Sequence, residues 1–207
     1  MTLYTLIAPE WKGQDGFILC GGTSITREMC KAVEGRNVLA VNSMYKWAPW
    51  APAMFFADSR WWYREMEKCG DQLSVFRGAV YTIATNCRGH SNLRYLRRER
   101  PPKMLAKERD TVTMLRTSLS AALNIMAHKG VSRIYLLGAD NSYGDANRAH
   151  CHTEHPWPRP KETWIVKTHE LQQCVKPLEE AGIQVFNCSK TSTLPFWPHA
   201  DLFEAVR

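Results

Sequence analysis

The chain has 207 residues, enough for one sizeable domain with a proper core and short for two. With 44% hydrophobic and 23% charged residues it falls outside the disordered and fibrous classes, and no apolar run approaches the roughly 18 residues of a membrane span. The formal net charge of +7 is concentrated in one place: Arg88 to Arg109 holds eight Lys/Arg against two Glu, whereas the rest carries 19 basic and 18 acidic residues.

In chain order, "MTLYTLIAPEWKG" lacks the basic start and apolar core of a secretion signal, so a soluble, cytoplasmic protein is expected. "GFILC" (Gly16 to Cys20) and "NVLAVN" (Asn37 to Asn42) are short apolar runs suited to buried parallel strands. Between them "SITREMCKAVEG" predicts a helix capped by Ser24 or Thr26 and closed by Gly35. A third strand, "AMFFAD", leads into "SRWWYREMEKCG", where Ser59 is expected to cap a helix that stops at Gly70. "QLSVF" and "AVYTIA" are weaker strand candidates. The basic segment 88–110 follows as a loop or insertion. Next, "TSLSAALNIMAHKG" places Leu119, Ala122, Leu123 and Met126 on one helical stripe before Gly130. "VSRIYLLGAD" predicts a strand ending at Gly138 and Asp140; a last helix over 168–181 and the strand "IQVFNC" complete the chain.

Strands alternating with helices predict a single α/β domain of Rossmann-like architecture, a mostly parallel sheet with helices on both faces. Ligands in such sheets bind beyond the carboxyl ends of the strands. That rule selects Gly21, Gly22, Thr23 and Ser24 after the first strand, Asn42 after the second, Asp58 after the third, and Asp140 with the loop that follows it. Glycines before a helix let the backbone approach a phosphate, but "CGGTS" is neither a dinucleotide fingerprint nor a P-loop.

Two readings compete for "AHCHTEHPWPRP" (Ala149 to Pro160). One is a structural zinc held by His150, Cys151, His152 or His155 with a distant Cys174 or Cys188; the other is a polar loop whose histidine serves as a general base near neutral pH. The second is preferred, since only one cluster of ligands is seen. A zinc deaminase is excluded because no two cysteines are three apart. The seven irregularly spaced cysteines form no disulfide framework. The tryptophans of "WAPWAP" and "SRWWYRE" either stack a base or pack helices on the sheet, and packing is favoured.

The strings "FILCGGTSI", "VLAVNSMYKWAPWAPAMFFADSRWW", "RTSLSAALNIMAHKGVSRIYLLGADNSYGD" and "LEEAGIQVFNCSKTSTL" resemble a group of phage-encoded proteins related to the bacterial sialyltransferases that use CMP-sialic acid. The similarity extends more remotely to 6-hydroxymethylpterin pyrophosphokinase and the motility accessory factors. It implies that Gly21 to Ser24 holds a nucleotide, that Asn42 contacts it, and that Arg116, Thr117 and Ser118 face the donor. It further implies a donor-phosphate role for Tyr143 and a catalytic base at His169, with His152 and His155 as rivals. Thr23 stands where proline is usual, the loop lacks its asparagine, and Leu119 replaces a glycine, so the identity of the activated sugar stays open. The resemblance implies a transferase without a metal requirement. The pterin relatives would instead use ATP and Mg²⁺, with Asp58 and Asp140 as candidate ligands. The expectation is a glycosyltransferase with a nucleotide-sugar donor, whose basic segment Arg88 to Arg109 serves an anionic acceptor such as a modified base in phage DNA. The alternatives are a small-heterocycle kinase and a non-catalytic binder of nucleotide or nucleic acid.

Overall fold

The computed structural model describes residues 3–144, 148, 150–151 and 162–207. The chain forms β1 (Asp15–Leu19), α1 (Arg27–Ala32), β2 (Asn37–Val41), a 3₁₀ turn (Asn42–Lys46), β3 (Ala53–Phe56), α2 (Ser59–Ser74), β4 (Ala79–Thr82), β5 (Leu93–Tyr95), β6 (Arg97–Glu99) and β7 (Thr111–Thr113). It continues through α3 (Ser118–Lys129), β8 (Arg133–Leu137), α4 (Glu162–Glu180), β9 (Gln184–Asn187) and α5 (Leu202–Ala205). Seven strands form one sheet in the order β5-β4-β3-β2-β1-β8-β9, and every pairing in it is parallel.

A parallel sheet buried on both faces needs apolar side chains at consecutive positions, which is why β1, β2 and β3 were legible. In β1, Phe17 and Leu19 pack with α1, α2 and α5 residues on one face, while Ile18 joins the α3 and α4 residues on the other. The architecture is thus α/β and Rossmann-like, with helices on both faces. Trp61 and Trp62 are packing residues: they lie 5.2 and 4.6 Å from the Phe56 ring, and Trp62 is fully buried. Among the described residues no helix is long and apolar enough to cross a membrane.

Three elements depart from the sequence reading. Helix α2 is capped by Asp58 rather than Ser59, because the Asp58 carboxylate accepts from Arg60 N–H. Nor does it stop at Gly70; it bends at Cys69 (φ −137°, ψ 25°) and continues to Ser74, which carries Leu73 into the core. "QLSVF" is therefore a helix end and turn rather than a strand. Helix α4 is in place by Glu162, ahead of the expected start at 168, because Lys167, Leu171, Cys174 and Leu178 recur every three or four residues along its buried side.

The basic segment is more than a loop. It supplies β5 at the sheet edge and β6, which pairs in parallel with β7. The stretch between them is tied to α3 by Asn124, whose Oδ1 accepts from the N–H groups of Ala106 (2.8 Å) and Thr113 (3.2 Å) while its Nδ2 donates to Met104 O (2.9 Å). This cover explains why α3 is buried from Leu119 to Met126 and not only along its predicted stripe. Several of the arginines are also engaged locally: Arg88 donates to the carbonyls of Thr85 and Cys87, Arg97 pairs with Asp110 (3.0 Å), and Arg98 donates to the carbonyls of Met114 and Leu115.

Candidate functional site

In the sheet, β2 to β5 lie in succession on one side of β1, and β8 and β9 lie on the other. The strand order therefore reverses between β1 and β8, where the loops leaving the two carboxyl ends diverge and open a crevice. A cavity of about 160 Å³ occupies that point, lined by Gly21 and Gly22 after β1, Asn42 after β2, Arg116 to Leu119 at the start of α3, Gly138 to Ser142 after β8, His150, and the α4 residues Trp164, Lys167 and Leu171.

Asp140 ties the two loops together. Its carboxylate accepts from Ser24 N–H at 2.8 Å, from Thr23 Oγ1 at 3.3 Å, and closely from Ser24 Oγ, and the side chain is 2% exposed. A buried carboxylate is tolerated when such donors surround it. The backbones meet just as closely: Gly22 N–H donates to Gly138 O at 2.9 Å, and a Cβ on Gly22 would fall 2.4 Å from that oxygen. Only glycine fits there, because a side chain would run into Gly138 O and the Asp140 carboxylate and force the two loops apart.

Glu170 on α4 plays the matching role at α3. Its buried carboxylate accepts from the N–H groups of Leu115 (2.9 Å), Arg116 (2.7 Å) and Thr117 (3.3 Å) and from Ser120 Oγ (2.6 Å). Thr117 Oγ1 caps the helix by accepting from Leu119 N–H. The donors before α3 are thus met by a carboxylate within the chain, which fixes Arg116 and Ser118 at the cavity wall.

Asn42, directly after β2, and Asn141, in the loop after β8, both adopt φ +53°, a left-handed conformation that asparagine tolerates better than other side chains. Asn141 Nδ2 donates to Thr168 Oγ1 at 2.6 Å, linking the β8 loop to α4. A second cleft of about 720 Å³ adjoins the first and shares Asn42, Arg116 and Ser118 with it; its further walls include Asp58, Arg60, Trp61, Thr85, Asn86 and Arg98.

The residues singled out in the sequence separate accordingly. Gly21, Gly22, Asn42, Arg116, Thr117, Ser118 and Asp140 converge on the first cavity. Thr23 and Ser24 serve its frame, turned onto Asp140. Asp58 lies in the adjoining cleft instead, where it accepts from Arg60 N–H and caps α2; the Arg60 guanidinium holds its carboxyl below the usual range against the opposing effect of burial. Tyr143 stands at the rim with its ring edge-on to Trp164 at 5.5 Å.

His169 does not reach the cavity. Trp164, Lys167 and Leu171 face inward, and two residues on from Lys167 a helical side chain points away; His169 is exposed and within hydrogen-bonding distance of Gln173 (3.1 Å). His152 and His155 lie outside the described residues. Of their loop, His150 and Cys151 rest on the glycine turn: Cys151 N–H donates to Gly21 O at 2.9 Å, and His150 Nδ1 lies 3.3 Å from the same oxygen. Among the described residues no three His, Cys, Asp or Glu converge as a metal's ligand set. Cys174 and Cys188, the distant partners of the zinc reading, belong to opposite core layers. The Cys20 thiol in the cavity wall is pushed up to about 12, by burial first and the Asp140 carboxylate second, so it carries no thiolate near neutral pH.

No family model and no curated protein sequence matches the chain. Among solved structures its fold is similar to that of the sialyltransferase CstII from Campylobacter jejuni, determined in complex with a substrate analogue, cytidine-5'-monophosphate. The similarity has a TM-score of 0.54 at 13% sequence identity and covers 91% of this chain and 86% of that one. At this identity the likeness is one of fold.

The conformation of Asn42 separates its structural part from its contacts. Asn42→Ala places an ordinary side chain at positive φ and is expected to cost about 1–2 kcal/mol in urea unfolding, whereas Asn42→Gly is expected to stay within about 0.5 kcal/mol of the parent. If both substitutions left stability unchanged, the left-handed backbone would not be part of the solution structure.

Proposed function

We propose that the protein is a transferase that binds a nucleotide-activated donor, a nucleotide sugar, in the switch-point cavity and passes the sugar to an acceptor in the adjoining cleft. The observation that carries this reading is the cavity itself, where a side-chain-free glycine turn, the start of α3 and two strand-end asparagines meet at the reversal of strand order. The shared fold with a sialyltransferase determined in complex with cytidine-5'-monophosphate supports the same choice of ligand.

In this reading the donor's phosphate lies against Gly21 and Gly22, whose backbone allows close approach, and its nucleoside contacts Asn42 and Ser118. The acceptor hydroxyl attacks the sugar's anomeric carbon as the bond from that carbon to the phosphate oxygen breaks. The hydroxyl proton passes to a histidine, and the nucleotide leaves as an anion opposite Arg116. His169 faces solvent and is not the base in this reading, whereas His150 lines the cavity. No step requires a metal. A Mg²⁺-dependent kinase finds less support, because its candidate ligands Asp58 and Asp140 line different clefts and each is already engaged, by Arg60 and by Thr23 and Ser24.

The acceptor is an anion in this reading. Arg98 and Arg116 line the second cleft, whereas Lys103 stands beside Lys176 and Glu180 at the C-terminal end of α4, away from it. A modified base in DNA is an acceptor whose phosphates Arg98 and Arg116 would suit.

Nucleoside monophosphates and nucleotide sugars are expected to raise the melting temperature without Mg²⁺, since a ligand at 100 times its dissociation constant adds about 2.7 kcal/mol. Gly22→Ala should abolish the shift, and the absence of any shift from a full panel would remove the donor reading. Duplex DNA binding is expected to weaken at least about tenfold between about 50 and 200 mM salt, as several phosphate contacts require. A flat response would exclude nucleic acid as the acceptor.

A further inference from the structure

Helix α4 brings into the cavity two side chains that the sequence reading did not single out. Lys167 is 9% exposed, lines the cavity, and holds its ammonium 4.4 Å over the centre of the Trp164 ring. Trp164, one turn earlier, lines the same cavity, and its indole Nε1 is buried without a hydrogen-bond acceptor among the described residues. A buried indole N–H without an acceptor is uncommon, because the desolvated donor costs about 1–3 kcal/mol.

The surrounding charges favour an anion at this place. Among the described residues the lining includes the cations Arg116 and Lys167 and the carboxylate of Asp140, which is committed to Thr23 and Ser24. Glu170, close to Lys167 on the same helix, is likewise committed to the amides before α3. A cation and an N–H donor on one helical turn, carried by residues that line the cavity together with Gly21 and Gly22, match the oxygens of a phosphate. The i, i+3 spacing puts both on one side of α4, and Asn141 anchors that turn through Thr168 Oγ1 and Trp164 O.

We propose that Lys167 and Trp164 form the phosphate-recognising pair of the donor cavity, Lys167 as the charge that meets the phosphate and Trp164 as both its platform and a second donor. This rests on the nucleotide-binding reading above. It moves the main phosphate contact from Tyr143 to α4 and leaves Tyr143 to brace the Trp164 ring from its edge.

The test compares cytidine-5'-monophosphate, the other three common nucleoside 5'-monophosphates and the corresponding nucleosides by titration calorimetry. The unaltered protein is expected to bind one nucleotide at least about tenfold more tightly than its nucleoside, the difference a charge-assisted contact supplies. Lys167→Met keeps the apolar stem and should lose that advantage, with nucleoside affinity retained within about twofold as evidence that the pocket is intact. Trp164→Phe, which keeps a ring and removes the N–H, should lose about three- to tenfold for the nucleotide alone. If the nucleotide binds and Lys167→Met leaves its affinity unchanged, the assignment falls and the donor reading stands. If no nucleotide binds the unaltered protein, the donor reading falls and the assignment with it.

Discussion

The carboxylate of Asp140 holds together the two loops that diverge from the centre of the sheet. Reversal of strand order between β1 and β8 separates the backbones at this point, and a crevice so formed would fill with loop side chains unless something fixed its walls. Asp140 does so from the β8 side by taking the Ser24 N–H and the Thr23 and Ser24 hydroxyls, and Gly22 completes the contact with a hydrogen bond to Gly138 O. The result is an open turn of bare backbone at the position where an α/β sheet binds its ligand.

A second carboxylate repeats the device. Glu170 reaches from α4 to the amides preceding α3, so three elements that are distant in sequence, the glycine turn, the start of α3 and the inner side of α4, are held in register by two buried acids. Neither acid is available for proton transfer or metal binding without releasing the frame it supports. The cavity is thereby left with backbone, amide, hydroxyl and cationic groups, a set suited to a phosphate and a nucleoside rather than to acid–base work by carboxylates. The adjoining cleft is built differently, from the strand ends of β3 and β4 and from the small β6–β7 sheet that holds Arg98 in place.

The strands of the sheet's middle were legible because double-sided burial demands apolar residues without interruption, as in "FILC" and "AMFF", and because glycine or a short polar residue ends each run, whereas the short, polar β5, β6 and β7 carry no such run. The same logic located Gly21, Gly22, Asn42 and Asp140, which sit at strand ends. Side chains that reach the site from α4 were not legible. Their helix carries β-branched Thr163, Ile165, Val166 and Thr168 in its first turns, which lower helix propensity and mask the stripe of Lys167, Leu171 and Cys174. The family resemblance pointed to His169 by its place relative to the last helix, yet its register turns it to solvent. Asp58 ends a strand like Asn42 but two strands from β1, so it belongs to the adjoining cleft. Glycine misled once, at Gly70, where the need to bury Leu73 outweighed the usual stop.

The central claim, that the β1/β8 crevice is a nucleotide site, is tested most directly by following backbone amide resonances while cytidine-5'-monophosphate is added. Binding at the crevice predicts the largest shifts at Gly21, Gly22, Asn42, Ser118 and Asn141, with small changes at Arg60, Thr85 and Asn86 in the second cleft. Shifts centred on the second cleft, or confined to the basic segment, would contradict it.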